Sequence, residues 1–351
     1  MKVAIIGYSQ SGKSTLYRAS SRGLAKGDLT AVPVPDPRFV AIVKQVQPKK
    51  ATPATVILDD GIESIASSGR AFSPQFLDAV RKSELLLHVV RGFENPMVPF
   101  HTEIDPIRDI DSINVELVLA DLQIIETRLE KLKKSLNVKT PGSTDYLENQ
   151  LFPRLQGHLE SGLPLRSADL TEDEQSLLRN YQFLSAKPVV CAINVNEGSI
   201  TAPDETLTKK CETLTQQGTP SFLVCASSEE EISQLDEADQ PEFLASLGLT
   251  EPAGNRLIRA VYDALGLITF FTAGENDTRA WPLRQGSNAL KAAATIHNDI
   301  AKGFIRAEIV HFSDYTQCGS LDAAYSAGKM SLEGKEYVIQ DGDLIHIRNK
   351  S

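Results

Sequence analysis

The chain has 351 residues, 41% of them hydrophobic and 23% charged, enough for roughly two or three soluble domains with cores of their own. Its 46 acidic residues outnumber 36 Lys and Arg for a net charge of -10, which excludes wholesale nucleic-acid binding through a basic surface and leaves only a local basic patch open. Four cysteines (Cys191, Cys211, Cys225, Cys318) form no C-x-x-C pair, so neither a zinc site nor a dithiol redox motif is indicated.

Apolar runs rich in β-branched residues read as buried strands: VAII (3–6), TVIL (55–58), LLLHVV (85–90), VVCAI (189–193) and FLV (222–224). Helical patterns fall between them, after Gly12 and around 75–82, so the N-terminal part is expected to be a doubly wound α/β sheet. Between 90 and 189 the segment 111–136 carries two apolar stripes. One is Ile113, Leu117, Ala120 and Ile124; the other is Val118, Leu122, Ile125, Leu129 and Leu132. With the capping signature Thr171-x-x-Glu174, residues 107–181 read as an inserted helical hairpin, either a solvated arm or a partner-binding one. From 268 to 351 short strand patterns alternate with turns, and Asp341-Gly342 divides two apolar runs as a β-hairpin would. The expected division is 1–106 with 182–267, then 107–181, then 268–351. No run has the length of a membrane span, and a reduced cytoplasmic setting is expected. His88 lies in a predicted central strand and reads as a packed residue.

The strongest motif is GYSQSGKS, Gly7–Ser14, which fits G-x-x-x-x-G-K-[ST] between a strand and a helix. Glycines let backbone N–H groups curl around phosphate oxygens, and the helix start adds a favourable dipole. Lys13 would reach the β- and γ-phosphates and the Ser14 hydroxyl would meet Mg²⁺. Asn194-Val195-Asn196-Glu197 follows the fourth strand, where such proteins read the base. An Asn amide both donates and accepts, as adenine requires. VCASS (224–228) has the place of the loop whose backbone closes over the base.

With these motifs in place the chain resembles the YchF / Obg-like ATPase family of P-loop NTPases over nearly its whole length. PDPR (35–38), HVVRGFEN (88–95), GFIRAE (303–308) and LEGKEYVIQDGD (332–343) add to the resemblance. The resemblance implies a P-loop domain with a coiled-coil insertion and a C-terminal TGS domain of the ubiquitin-like β-grasp type. It implies ATP or GTP with Mg²⁺, held by Gln10, Ser11, Gly12, Lys13, Ser14 and Thr15. Asn194, Val195 and Glu197, with Cys225, Ala226 and Ser227, would shape the base site. It implies a translation or ribosome partner, RNA contact through the TGS and helical parts, and a monomer.

The departures concern catalysis. Gln10 replaces an asparagine that helps bind potassium, which argues against K⁺ activation. Switch I is short, and Thr30 does not align with its Mg²⁺-contacting threonine. In switch II the family's V-D-I-A-G-L becomes Leu58-Asp59-Asp60-Gly61-Ile62, one residue short, with Gly69 surviving downstream. Asp59 is expected to approach the metal, and Lys13 and Gly61 are the expected catalytic groups. Ile62 cannot polarise water, so hydrolysis would rest on charge stabilisation. Two readings follow: a slowly hydrolysing ATP-dependent switch, or a hydrolysis-deficient nucleotide-binding scaffold.

Overall fold

In the computed structural model, which describes residues 1–65, 72–100, 102–236 and 238–350, the first apolar run forms β1 (Lys2–Ile6). Helix α1 (Lys13–Ser21) starts after Gly12 in a left-handed conformation. Then come β2 (Leu29–Pro33), α2 (Pro37–Val46), β3 (Ala51–Thr52) and β4 (Thr55–Asp59). Ser73 caps α3 (Pro74–Arg81) by accepting from Phe76 N, and β5 (Leu85–Arg91) follows. With β6 (Val189–Asn194) and β7 (Ser221–Val224) they form a six-stranded sheet ordered β2-β4-β1-β5-β6-β7. The pairs β1–β4, β1–β5, β5–β6 and β6–β7 are parallel. This is a doubly wound α/β sheet, and every residue of β5 and β6 is buried.

Two strands depart from the sequence reading. The edge strand β2 falls in the short switch I stretch, where no strand was expected, and its Pro33 is tolerated because an edge leaves backbone groups unpaired. Strand β4 alternates instead of being buried throughout: Thr55 and Ile57 are exposed while Val56 and Leu58 are buried.

Both stripes of the long helical segment are covered, between two cores. In α4 (Pro106–Leu132), Ile113 and Leu117 pack with Ala4, Ile6 and Leu86 of the sheet. Val118 and Ile125 instead pack with Leu151, Phe152, Leu155 and Leu159 of α5 (Thr144–Glu160). Arg128 ties the hairpin, pairing with Asp145 at 2.6 Å and with the buried Glu148. Thr171 and Glu174 form the predicted capping box.

The chain forms two compact units, Met1–Thr30 with Ile57–Leu257, and Ala31–Val56 with Ile258–Ser351. The second contains β8 (Leu267–Thr272), β9 (Thr278–Arg284), β10 (Phe304–His311), β11 (Ser331–Glu333) and β12 (Asp343–Asn349). With β3 they make a mixed sheet ordered β11-β10-β12-β8-β9-β3. The helix Ala289–Ile296 lays Ala289, Ala292 and Ala293 on Phe270, Leu283, Ile309 and Ile345, as a β-grasp domain does. The expected hairpin at Asp341-Gly342 is only a turn: β12 pairs with β10 and β8, and Val338 makes a single bridge to Asn288. Asp341 takes the amide of Thr269 (2.8 Å) and Asp343 that of Gln340 (2.9 Å), which bends the chain away from strand pairing.

Among the described residues no helix is long and apolar enough to cross a membrane.

Candidate functional site

The loop between β1 and α1 closes around Lys13. Its ammonium donates to the carbonyls of Gly7 and Tyr8, both at 3.1 Å, and to Ser64 Oγ at 2.8 Å. Gly12 has φ +94°, and a Cβ there would collide with Asn194 Nδ2, so this position admits only glycine. Gln10 is also left-handed, at φ +61°. Ser11 is buried and its hydroxyl has no partner among the described residues, while Ser14 is exposed at the helix start and Thr15 half-exposed beside Arg18.

Burial lowers Lys13 from the ordinary lysine value to about 8, opposed by the Asp60 charge. The sign follows: the folded pKa lies below the unfolded one, so burying the ammonium destabilises the fold below pH about 8 and this penalty fades as pH rises through that value. Phosphate needs the ammonium. Affinity for a nucleotide is therefore expected to fall as pH rises above about 8, and Lys13→Arg should remove that fall, as titrations between pH ~7 and ~9.5 would show.

In switch II the Asp59 carboxylate pairs with Lys2 at 2.7 Å and accepts from Gly61 N at 3.1 Å. The reason is strand parity, because Lys2 lies opposite Ile57 and Ala4 opposite Asp59, so Lys2, Ile57 and Asp59 share one face. Asp60, one residue on, lies close enough to the Ser14 side chain and to the Lys13 charge for both to act on its carboxyl. Burial raises its pKa, Ser14 and Lys13 lower it, and the neighbouring Asp28 raises it again. Asp60 N donates to Asp28 O at 2.8 Å, and a Cβ on Gly61 would stand 2.9 Å from Asp28 Cβ. Sequence reasoning passed over Asp60; the phase of the β4 pattern carried the signal. Ile62 is buried with Ala4, Ile6 and Phe76, so it anchors the segment in the core. Gly69 lies outside the described residues.

At the far side, Asn194 serves first as a brace. Its Nδ2 donates to Ser11 O (3.1 Å) and its Oδ1 accepts from Ala226 N (2.9 Å). The Ala226 amide expected to face a base is thus already engaged, and Asn194 keeps one N–H of its amide to offer. Val195 is buried; Asn196, Glu197 and Ser227 are exposed. Ser228, which the sequence reading left out, donates to Glu197 Oε2 at 2.7 Å and fixes that carboxylate. The buried Cys225 thiol meets Ser227 and Ser228 at 3.3 and 3.2 Å. His88 is fully buried and held neutral, its pKa driven down to about 3 by burial, with Lys13 and Arg166 adding to the effect.

Arg91 supports the loop from below. Its guanidinium donates to Gln10 O (3.3 Å), Phe93 O (3.1 Å) and Val98 O (2.8 Å), and lies 4.3 Å from the Phe93 ring centre and 4.9 Å from that of Phe100. Arg91→Ala is expected to cost about 3 kcal/mol of stability, because it orphans these carbonyls and opens a void. Urea unfolding would measure it.

The donor set suits Mg²⁺, which is hard, prefers oxygen and uses few protein ligands alongside phosphate. Ser14 and Asp60 supply a hydroxyl and a carboxylate, and Asp60 Oδ1 is buried without a hydrogen-bond partner among the described residues.

The chain is similar to known proteins. Residues 267–350 match the family model YchF-GTPase_C, described as a protein of unknown function (DUF933). The "Ribosome-binding ATPase YchF" of Haemophilus influenzae is 38% identical over 360 residues, covering 99% of this chain and 98% of that protein. The chain belongs to the YchF family. The Bacillus subtilis member of the same name is 36% identical, with 99% of each chain covered. The structure of the Schizosaccharomyces pombe YchF GTPase superposes with a TM-score of 0.90 at 29% identity, covering 99% of this chain and 97% of that one. The YchF fold is therefore present across the full length, including the P-loop sheet, the helical hairpin and the C-terminal β-grasp part.

Proposed function

We propose that this chain binds ATP with Mg²⁺ at the Gly7–Thr15 loop, hydrolyses it slowly, and acts as a ribosome-associated switch in translation. The observation that carries the reading is the strand–loop–helix turn that holds Lys13 over the Gly7 and Tyr8 carbonyls. Two relatives are named ribosome-binding ATPases, which supports both the nucleotide and the partner. Gln10, Ser11, Gly12, Lys13, Ser14 and Thr15 surround the phosphates. Ser14 and Asp60 hold the metal, which when bound neutralises charge on the phosphate oxygens. Asn194 and Glu197 face the base, with Val195, Cys225, Ala226 and Ser227 as the supporting wall. Lys13 and the backbone at Gly61 stabilise developing phosphate charge. The working division is 1–106 with 182–267 for the nucleotide, and 107–181 and 268–351 for the ribosome or its RNA.

The Glu197 carboxylate, held by Ser228, favours ATP over GTP where it accepts from the 6-amino group of adenine, a position at which guanine carries a carbonyl oxygen that also accepts. GTP is the competing ligand. One observation favours the scaffold reading: Ile62 is withdrawn into the core, so the residue after Gly61 offers no polar group to orient water. Single-turnover hydrolysis of ATP and GTP, with and without K⁺ and ribosomes, separates the two. Slow ATP turnover that ribosomes accelerate supports the switch. Tight ATP binding with no turnover under any condition leaves the scaffold.

A further inference from the structure

We propose that Ser64 is the residue through which the shortened switch II registers the terminal phosphate of a bound triphosphate, an assignment that rests on the nucleotide reading above. A lysine ammonium has three donors, and here all are engaged. Two go to Gly7 O and Tyr8 O within the phosphate loop; the third goes to Ser64 Oγ, 51 residues along the chain. A phosphate arriving at Lys13 must take over a bond. The two carbonyls belong to the loop that carries the lysine, so the exchange falls on Ser64.

The chemistry of a hydroxyl makes this exchange productive. Ser64 Oγ accepts from Lys13, yet its own proton is available to donate. Once Lys13 turns to the phosphate, the same hydroxyl can donate to a phosphate oxygen beside it. A carbonyl or an alkyl group could only be displaced. The exchange moves hydrogen bonds alone and forms no covalent bond.

The segment is pinned so that the hydroxyl stays at this place. Ser64 is exposed, between Ile62 and Ile65, whose side chains are 4% and 8% exposed in the core. Ile65 N donates to Gly7 O at 3.2 Å and Ile65 bridges to Tyr8. On the other side Glu63 accepts from Ser73 Oγ at 2.6 Å, and Ser73 caps α3. A pull on Ser64 is thus passed to the start of α3, so the phosphate signal has a helix to act on.

The test measures equilibrium binding of a non-hydrolysable ATP analogue and of ADP, both with Mg²⁺, to the wild type, Ser64→Ala and Ser64→Thr full-length chains. Ser64→Ala is expected to bind the analogue about tenfold more weakly, the loss of one hydrogen bond to a charged group, with ADP changed less than about twofold. Ser64→Thr should restore the wild-type ratio. The assignment is overturned if wild type binds both nucleotides and Ser64→Ala leaves their ratio unchanged. It is equally overturned if Ser64→Ala tightens the analogue, which would make Ser64 a plug on Lys13. A wild type that binds neither nucleotide at millimolar concentration removes the underlying nucleotide reading as well, and is thereby told apart from failure of Ser64 alone.

Discussion

Lys13→Ala is expected to weaken ATP binding by about 100-fold or more, a loss of about 3 kcal/mol from charge-assisted hydrogen bonds to phosphate. Stability should not fall in parallel. Burial drives the Lys13 pKa down to about 8, so at neutral pH the folded state holds an ammonium that would be better solvated outside. Lys13→Met, which keeps the stem and drops the charge, is expected to raise the unfolding midpoint while abolishing nucleotide binding. Calorimetric titration and thermal unfolding on the same samples check both halves. A variant that loses both together would mean that Lys13 holds the loop rather than the ligand.

The second large effect separates adjacent carboxylates. Asp60→Asn is expected to lower Mg²⁺-dependent ATP turnover by at least about tenfold, because the buried Oδ1 without a partner belongs to this residue, whose charge Lys13 and Ser14 both influence. Asp59→Asn should leave turnover within about twofold, since the Asp59 carboxylate is taken up by Lys2 and the Gly61 amide. Turnover against Mg²⁺ concentration in the two variants reads the difference directly. The reverse pattern would restore Asp59 as the metal-side residue.

Much of this was legible in sequence because the physics is local. The strand runs at 3–6, 85–90 and 189–193 are apolar on both faces and could only be central strands; they became β1, β5 and β6. The two stripes of α4 announced two covering surfaces, and the P-loop spacing placed Lys13. What escaped depended on side-chain direction and long-range partners. That Asp59 turns to Lys2 depends on the register of β4 against β1, which the residues of β4 alone do not state. Ile62 read only as a residue unable to polarise water, and the core beside Phe76 of α3 that claims its side chain was not legible. The Lys13–Ser64 and Asn194–Ala226 bonds join segments 51 and 32 residues apart, a separation at which no local pattern speaks. The missing hairpin at Asp341-Gly342 has the same origin, since Asp341 is claimed by the distant Thr269 amide and by Arg38.

The most direct test of the account is a titration of the full-length chain with ATP and, separately, GTP in the presence of Mg²⁺, beside Lys13→Ala. Saturable binding of ATP, tighter than that of GTP and lost in Lys13→Ala, is the expected result. Binding of neither nucleotide at millimolar concentration, or ATP binding that Lys13→Ala leaves intact, would contradict it.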